Sequence, residues 1–263
     1  MKTTAKKESK ENHMDMNLKG KVALVTGGTR GIGYCIAEKL ARRGCNVIIN
    51  YFRSRQSANE AVERLEKYGV ECYAHRANIG NLDQLPPLFE KIHHKFGKLD
   101  IFISNAALGS FTSMMDIDDK SWHLAMDTNA RAFLRCMQLA VPIMPRGGKI
   151  TALSSLGSTR YIPGYASIAV SKAAIENIVK FAAVELAPKG INVNCVCGGF
   201  IDTDSLKVFP NREELLREAI ERTPFKRVGL PDEVADVAVF MVSDMARWIT
   251  GQTLIVDGGY TLL

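Results

Sequence analysis

From Lys21 to the C-terminus, short runs of apolar and β-branched residues alternate with segments whose apolar residues follow a helical period. This alternation of strand and helix is typical of a parallel sheet with helices on both faces. Because crossovers between parallel strands are right-handed, the pattern predicts an α/β fold with a doubly wound, mainly seven-stranded parallel sheet. Ligands of such sheets bind at the carboxyl ends of the strands.

The same pattern sets the limits of the elements. We expect strands at Val22–Thr26, Asn46–Tyr51, Glu71–Ala77, Leu99–Asn105, Lys149–Ser155, Ile191–Val196 and Thr253–Val256. We expect helices near Gly31–Arg43, Ser54–Lys67, Leu82–Phe96, Lys120–Val141, Ala166–Leu186 and Pro231–Val242. No linker or repeat divides these elements, so residues 18–263 are expected to form a single Rossmann-like domain.

Two segments do not follow the alternating pattern. Residues 1–17 lack the apolar run of a secretory signal, and we expect a disordered tail there. The stretch Cys197–Leu230 is long and carries its own helical pattern around Asn211–Arg222. A long excursion beyond a carboxyl strand end is typical of a lid over a site, which is the role we expect for it.

Composition narrows the classes of function. No apolar stretch approaches the roughly 18–20 residues of a membrane-spanning helix, and the formal charge of +6 includes no basic run of nucleic-acid type in the predicted domain. The six cysteines and five histidines do not follow metal-ligand spacing. We therefore expect a cytoplasmic protein with reduced thiols, and no membrane, nucleic-acid or metal partner.

A glycine-rich turn follows the first predicted strand. The run VALVT is followed by GGTRGIG and then by a helix, so Gly27, Gly31 and Gly33 lie in a tight turn at a helix N-terminus. Unpaired N–H groups and the helix dipole at such a turn favour the negative charge of a pyrophosphate. The turn therefore predicts a dinucleotide site.

The spacing TGGTRGIG resembles that of the short-chain dehydrogenase/reductase family, and the resemblance extends from Leu18 to the C-terminus. Further motifs appear in the family's order: Asn105-Ala106-Ala107, Asn129, Ser154-Ser155, a helix with Lys172, and GQTLIVDGGY. Three dipeptides or tripeptides depart from the family pattern, including Gly198-Gly199 in place of Pro-Gly, and none removes a reacting group. The resemblance implies an oxidoreductase, and a homotetramer packed through the helices near Lys120–Val141 and Ala166–Leu186.

Charge at the end of the second strand bears on the choice of cofactor. An NAD-dependent enzyme places an acidic residue there to bind the ribose 2′-hydroxyl. This chain instead has NYFRSRQ, with Arg53, Ser54 and Arg55, and Arg30 in the glycine-rich turn adds a cation. The cations in place of an acid favour the 2′-phosphate of NADPH.

The charges and the resemblance together imply one set of cofactor-binding residues: Gly27, Thr29, Arg30, Gly31, Ile32, Gly33, Tyr51, Arg53, Ser54, Arg55, Asn78, Ile79, Asn105, Ala106, Lys172, Gly199, Ile201 and Thr203.

The predicted helix that carries Lys172 breaks the usual family pattern. Most of the family has a tyrosine four residues before this lysine, where this chain has Ile168, which cannot donate a proton. Tyr165 stands seven residues before Lys172. Seven residues advance a helix by about 700°, so Tyr165 and Lys172 share a face, with the tyrosine about 4.5 Å further along the axis than usual. The proton donor is therefore expected to serve a different substrate geometry.

This Tyr-x6-Lys spacing resembles the enoyl-acyl-carrier-protein reductases, and SSLGSTRYIPGY, VELAPKG, GGFIDTD and FPNREELL resemble their Bacillus-type third class. The resemblance implies reduction of the trans-2 double bond of an enoyl thioester in fatty-acid elongation, on a substrate carried by acyl carrier protein. It also implies the catalytic residues. Tyr165 would stabilise and protonate the enolate, Lys172 would bind the ribose and lower the tyrosine pKa, and Asn129 would order water behind the lysine. Ser155 takes the place of the family's active-site serine.

Other interpretations stay open at this point. Tyr161 is a rival donor in the preceding loop. The chain could be a ketone or alcohol oxidoreductase, or an ene-reductase of secondary metabolism that acts on a coenzyme A thioester or an enone. A redox-sensing protein that binds NADP(H) without turnover is a third possibility, against which the presence of Tyr165, Lys172, Ser155 and Asn129 together argues.

Overall fold

The computed structural model describes residues 16–207 and 212–263. A single parallel sheet runs through it in the order β3-β2-β1-β4-β5-β6-β7, which confirms the predicted fold class. The strands are β1 (Val22–Thr26), β2 (Asn46–Tyr51), β3 (Cys72–Arg76), β4 (Ile101–Ser104), β5 (Lys149–Ser155), β6 (Asn192–Gly198) and β7 (Thr253–Val256). The helices are α1 (Gly31–Arg42), α2 (Arg55–Glu66), α3 (Pro86–Phe96), α4 (Asp119–Ala125), α5 (Ala132–Ala140), α6 (Ala166–Leu186), α7 (Asp204–Lys207), α8 (Arg212–Arg222) and α9 (Pro231–Met241).

The central strands β1, β4 and β5 are buried along almost their whole length because both faces of the sheet are covered. In β1, Ala23 and Val25 pack in the layer that includes α1 and α9, whereas Leu24 packs in the opposite layer with residues of α3, α5 and α6. The neighbours of β1 are β2 on one side and β4 on the other. The strand order therefore reverses beside β1, and a crevice opens at the carboxyl ends there.

The predicted helix Lys120–Val141 is three pieces. Between α4 and α5 the backbone forms a π-helical turn, Met126–Arg131, in which Thr128, Asn129 and Ala130 are buried. Such turns are frequent at functional sites because they widen the helix and reorient one residue. The apolar period of the sequence does not reveal this turn, since the residues on both sides of it keep a helical pattern.

The expected tail is shorter than predicted, and the expected lid is described only in part. Residues 1–15 lie outside the described residues, but Met16 packs against the core and the side-chain amide of Asn17 donates to Asp244, so the ordered chain begins before residue 18. In the expected lid, α7 and α8 are described and residues 208–211 are not, so the lid stays a prediction. No helix in the described part of the chain is both long enough and apolar enough to cross a membrane.

Candidate active site

A cleft of about 730 Å³ lies at the carboxyl ends of the strands, beside β1. Of the eighteen residues expected to bind the cofactor, all except Arg55 line it, and so do Ser155 and Tyr165. The structure therefore brings together residues that lie as far apart in the sequence as Gly27 and Thr203.

The glycine-rich turn is held by the loop that follows β4. The side-chain amide of Asn105 donates to the carbonyl oxygens of Thr26 and Gly27, at 2.9 and 3.1 Å. A Cβ atom at Gly33 would lie 2.4 Å from Asn105 Nδ2 and 2.4 Å from the carbonyl oxygen of Gly27, closer than atoms can approach. Only glycine therefore fits at position 33, and the fit leaves backbone facing the cleft where a pyrophosphate would bind.

The arginines expected at the 2′-phosphate are not all in the cleft. Arg53 lines it, whereas Arg55, the first residue of α2, lines a neighbouring groove together with Arg53 and Arg76. Arg30 also lines the cleft, and its guanidinium forms an exposed ion pair with Asp204 of α7, 3.2 Å apart. No acidic side chain follows β2 directly, since Phe52, Arg53 and Ser54 come next.

One face of α2 lines the cleft and was not expected from the sequence. It carries Ser57, Glu60, Ala61 and Arg64. The guanidinium of Arg64 stacks over the ring of Tyr34 in α1, 4.3 Å from its centroid. The helical repeat indicates that these four residues share a face, but which face of α2 meets the cleft depends on how the helix packs on α1, β2 and β3.

Tyr165, Lys172 and Ser155 also line the cleft, and Tyr165 and Ser155 are joined by a side-chain hydrogen bond. Tyr165 is the residue just before α6, and Ser155 ends β5. Burial raises the pKa of the Tyr165 phenol above its usual value, and a hydrogen bond with Ser155 acts in the opposite direction. This corrects the expectation of a tyrosine pKa lowered by Lys172. At neutral pH the phenol is protonated, which suits a proton donor.

Lys172 is buried, and its ammonium donates to the carbonyl oxygen of Leu153 at 2.7 Å. Burial lowers its pKa to about 8, while Cys195, Cys197 and Glu176 act in the opposite direction. Glu176 lies one helical turn after Lys172 and accepts a hydrogen bond from Ser154 at 2.5 Å. No sequence motif marks Glu176, whose carboxylate is tied to the strand that carries Ser155.

Asn129 does not line the cleft, and its side chain is occupied. Its amide nitrogen donates to the Leu108 carbonyl oxygen and to Ser171 Oγ, at 3.0 and 2.8 Å, and its oxygen accepts from the Leu108 N–H at 2.9 Å. These bonds join the π-helical turn to α6 and to the loop after β4. A role for Asn129 in a proton path stays a prediction.

Neither of the two alternative positions for the proton donor, 161 and 168, places a hydroxyl group in the cleft. Tyr161 is 89% exposed and does not line the cleft. Ile168 is buried and packs so tightly on the loop after β4 that a Cβ atom at Gly109 would lie 2.3 Å from Ile168 Cγ1.

The described residues contain no group of three or more His, Cys, Asp or Glu side chains placed to hold a metal ion. All six cysteines are free thiols.

Comparisons with known proteins agree with this geometry. The family model for enoyl-(acyl carrier protein) reductase matches residues 27–261. A 1-cyclohexenylcarbonyl-CoA reductase of Streptomyces collinus is 42% identical over 244 residues, which cover 92% of this chain and 87% of that protein. A 3-oxoacyl-[acyl-carrier-protein] reductase of Staphylococcus aureus is 37% identical over 241 residues, covering 91% of this chain and 97% of that protein. The crystal structure of a short-chain dehydrogenase from Burkholderia cenocepacia in complex with NADP has a TM-score of 0.87 at 33% identity and covers 93% of this chain and 99% of that one.

Proposed function

The chain belongs to the short-chain dehydrogenase/reductase family, and from that premise we propose that it reduces the trans-2 double bond of an enoyl thioester with NADPH. The observation that carries the proposal is the position of the donor. Tyr165 lines the cleft with Lys172, while the place where most of the family has a tyrosine is filled by a buried isoleucine, Ile168.

The proposed reaction needs a donor away from the carbon that accepts hydride. Reduction of an enoyl thioester places hydride on the β-carbon, while negative charge develops on the thioester oxygen two carbons away. The neutral phenol of Tyr165 donates a hydrogen bond to that oxygen and then its proton. Ser155 orients the phenol through their hydrogen bond, and Lys172 lines the same cleft.

The cleft fits the proposed cofactor. Gly33 leaves a bare backbone that any Cβ atom would fill, and Arg53 and Arg30 line the same cleft. NADPH supplies the hydride when it is bound. The backbone at Gly31 and Gly33 would hold its pyrophosphate, Arg53 its 2′-phosphate and Lys172 its ribose hydroxyls. Relatives of known structure bind NADP in one case and NADH in another, so the choice of NADPH rests on Arg53 and Arg30, the cations that line the cleft.

The acyl end and the carrier are part of the proposal. Apolar side chains line the same cleft as the donor and suit a hydrocarbon chain: Leu108, Leu156, Ile162, Phe200 and Leu206. One relative is named for an acyl-carrier-protein substrate and another for a coenzyme A substrate, and we propose acyl carrier protein as the carrier. The cytoplasmic location stays a prediction.

We also propose the homotetramer. Apolar side chains on α4, α5 and α6 are exposed in the single chain, among them Leu124, Leu134, Phe181 and Val184, with Val184 76% exposed. Large apolar side chains exposed on these helices are expected at an interface between subunits.

The test is NADPH consumption with crotonyl and acetoacetyl thioesters, each on acyl carrier protein and on coenzyme A. We expect turnover of the crotonyl thioester and at most weak turnover of the acetoacetyl one. Tyr165→Phe should reduce the rate about 100-fold or more, because it deletes the donor and keeps the ring. Tyr161→Phe is the matched control and should keep full activity.

A second candidate, reduction of a 3-oxoacyl thioester, is favoured by the 37% identity to the Staphylococcus aureus enzyme. Ready reduction of the acetoacetyl thioester with none of the crotonyl thioester would establish it and reject the enoyl assignment. A preference for the coenzyme A substrate would reject only the proposed carrier and would leave the proposed reaction intact.

A further inference from the structure

We propose that Gly157 and Phe111 are positioning residues, which pack on the ring of Tyr165 and so set where its hydroxyl stands in the cleft. The inference rests on the proposed function, because it takes Tyr165 as the proton donor. Neither residue lines the cleft itself. Both act through the tyrosine ring.

The contact with Gly157 is the closer one. A Cβ atom at Gly157 would lie 2.6 Å from Cδ1 and 2.8 Å from Cε1 of Tyr165, so the edge of the ring lies directly against the glycine backbone. Gly157 belongs to the short turn Leu156–Ser158 that follows β5, two residues after Ser155. The backbone that delivers the serine to the phenol therefore also supports the ring.

Phe111 packs on the same ring from the loop after β4. The two ring centroids are 6.0 Å apart and the planes are inclined by 37°. This loop is fastened to the start of α6, because the Thr112 N–H donates to the Gly164 carbonyl oxygen at 2.7 Å and Ser167 Oγ donates to the Ser110 carbonyl oxygen at 3.2 Å. Phe111 therefore holds its place relative to the backbone of Tyr165.

These contacts matter because Tyr165 precedes the helix. Its φ of −101° and ψ of 9° are not those of a helical residue, so no preceding helical turn restricts its side chain. Packing must supply the orientation instead. A displacement of about 1 Å in a reacting group can reduce a rate about 100-fold.

Gly157→Ala tests the packing alone. The φ of Gly157 does not lie in the left-handed region, so alanine suits the backbone conformation. Its Cβ atom would overlap the Tyr165 ring and would lie 3.3 Å from Ala169 Cβ, a much milder contact. We expect kcat on crotonyl thioester to fall about 10- to 100-fold, with the Kd for NADPH changed less than about twofold. Gly148→Ala, outside the cleft and with no ring against it, is the matched control and should keep full activity.

A double-mutant cycle separates positioning from general distortion. In Tyr165→Phe the ring remains but the hydroxyl does not, so adding Gly157→Ala should lower the residual rate no further. Equal losses in both backgrounds would overturn the proposal, since a distortion of the fold does not depend on the hydroxyl. Full activity of Gly157→Ala beside an inactive Tyr165→Phe would overturn it too and leave the proposed function intact. Full activity of Tyr165→Phe would instead reject the assignment of Tyr165 as the proton donor, and with it this part of the proposed function.

Phe111 supplies a second variant if Gly157→Ala does not fold. Phe111→Ala should lower kcat at unchanged Kd for NADPH, and Phe111→Tyr, which keeps the ring, should restore it. Equal rates for Phe111→Ala and wild type would contradict a positioning role for this side chain.

Discussion

Raising the pH from about 7 to about 9 should weaken NADPH binding about tenfold, because the buried ammonium of Lys172 loses its proton within that range. Burial lowers the lysine pKa from its usual 10.5 to about 8. The ammonium form of Lys172 donates charge-assisted hydrogen bonds to the ribose hydroxyls, which the neutral amine cannot do. The cofactor complex therefore favours the proton, and Kd rises by up to about tenfold for each pH unit above about 8.

The sign is opposite for the stability of the cofactor-free protein. Between about pH 8 and 10.5 the unfolded chain keeps the Lys172 proton and the folded chain does not, so this group makes the free energy of unfolding rise with pH. Affinity and stability should thus move in opposite directions over the same interval. Urea denaturation and NADPH fluorescence titration on one preparation measure both.

Two variants identify the titrating group. Lys172→Arg keeps its charge throughout, so the alkaline loss of affinity should disappear, whatever its affinity at pH 7. Glu176→Gln removes the nearest carboxylate acting on Lys172, and a partly buried pair worth about 0.5–1 kcal/mol would move the loss to lower pH by about 0.4–0.7 units. A constant Kd from pH 7 to 10 in the wild type, or an unchanged alkaline loss in Lys172→Arg, would refute the reasoning.

Three further predictions follow from the cleft. Arg53→Ala should raise the Kd for NADPH about tenfold and leave NADH almost unchanged, because a charge-assisted contact supplies about 1.5–3 kcal/mol; equal effects on the two cofactors in fluorescence titrations would contradict it. Gly33→Ala should abolish measurable cofactor binding and lower the free energy of unfolding by about 1–3 kcal/mol, since its Cβ atom would overlap Asn105 and the Gly27 carbonyl. Wild-type thermal denaturation and cofactor titration would contradict this prediction. Asn129→Ala should cost about 2–4 kcal/mol in urea denaturation, because the Leu108 N–H and carbonyl oxygen lose their partner, and a loss below about 1 kcal/mol would argue against a structural role for these bonds.

The fold was predictable because its signals are local. Most strands of the sheet contain a short run of apolar and β-branched residues, and the glycine-rich turn marks the first βαβ unit, so the α/β class follows from the sequence alone. Tyr165 and Lys172 do line one cleft, as expected, although Tyr165 precedes α6 and the helical repeat does not extend to it.

The parts that could not be predicted depend on contacts between distant segments. Arg64 lines the cleft and Arg55 lines a neighbouring groove because nine residues place them on opposite faces of α2. Which face meets the cleft is set by the packing of α2 on α1, β2 and β3. The raised pKa of Tyr165 comes from burial by the loop after β4 and the turn after β5, which no spacing on α6 reveals. The π-helical turn at Met126–Arg131 leaves no trace in the apolar period.

The close packing of Ile168 on Gly109 also bears on how this chain could evolve. A tyrosine at position 168 would require the backbone at Gly109 to move, although nearly sixty residues separate the two positions. A mutational path to the four-residue spacing therefore passes through intermediates in which the side chain at position 168 no longer fits against the loop at Gly109. The coupling acts as a barrier to drift, so the two proton-donor spacings can persist as separate lineages on one fold even when their overall sequences stay similar.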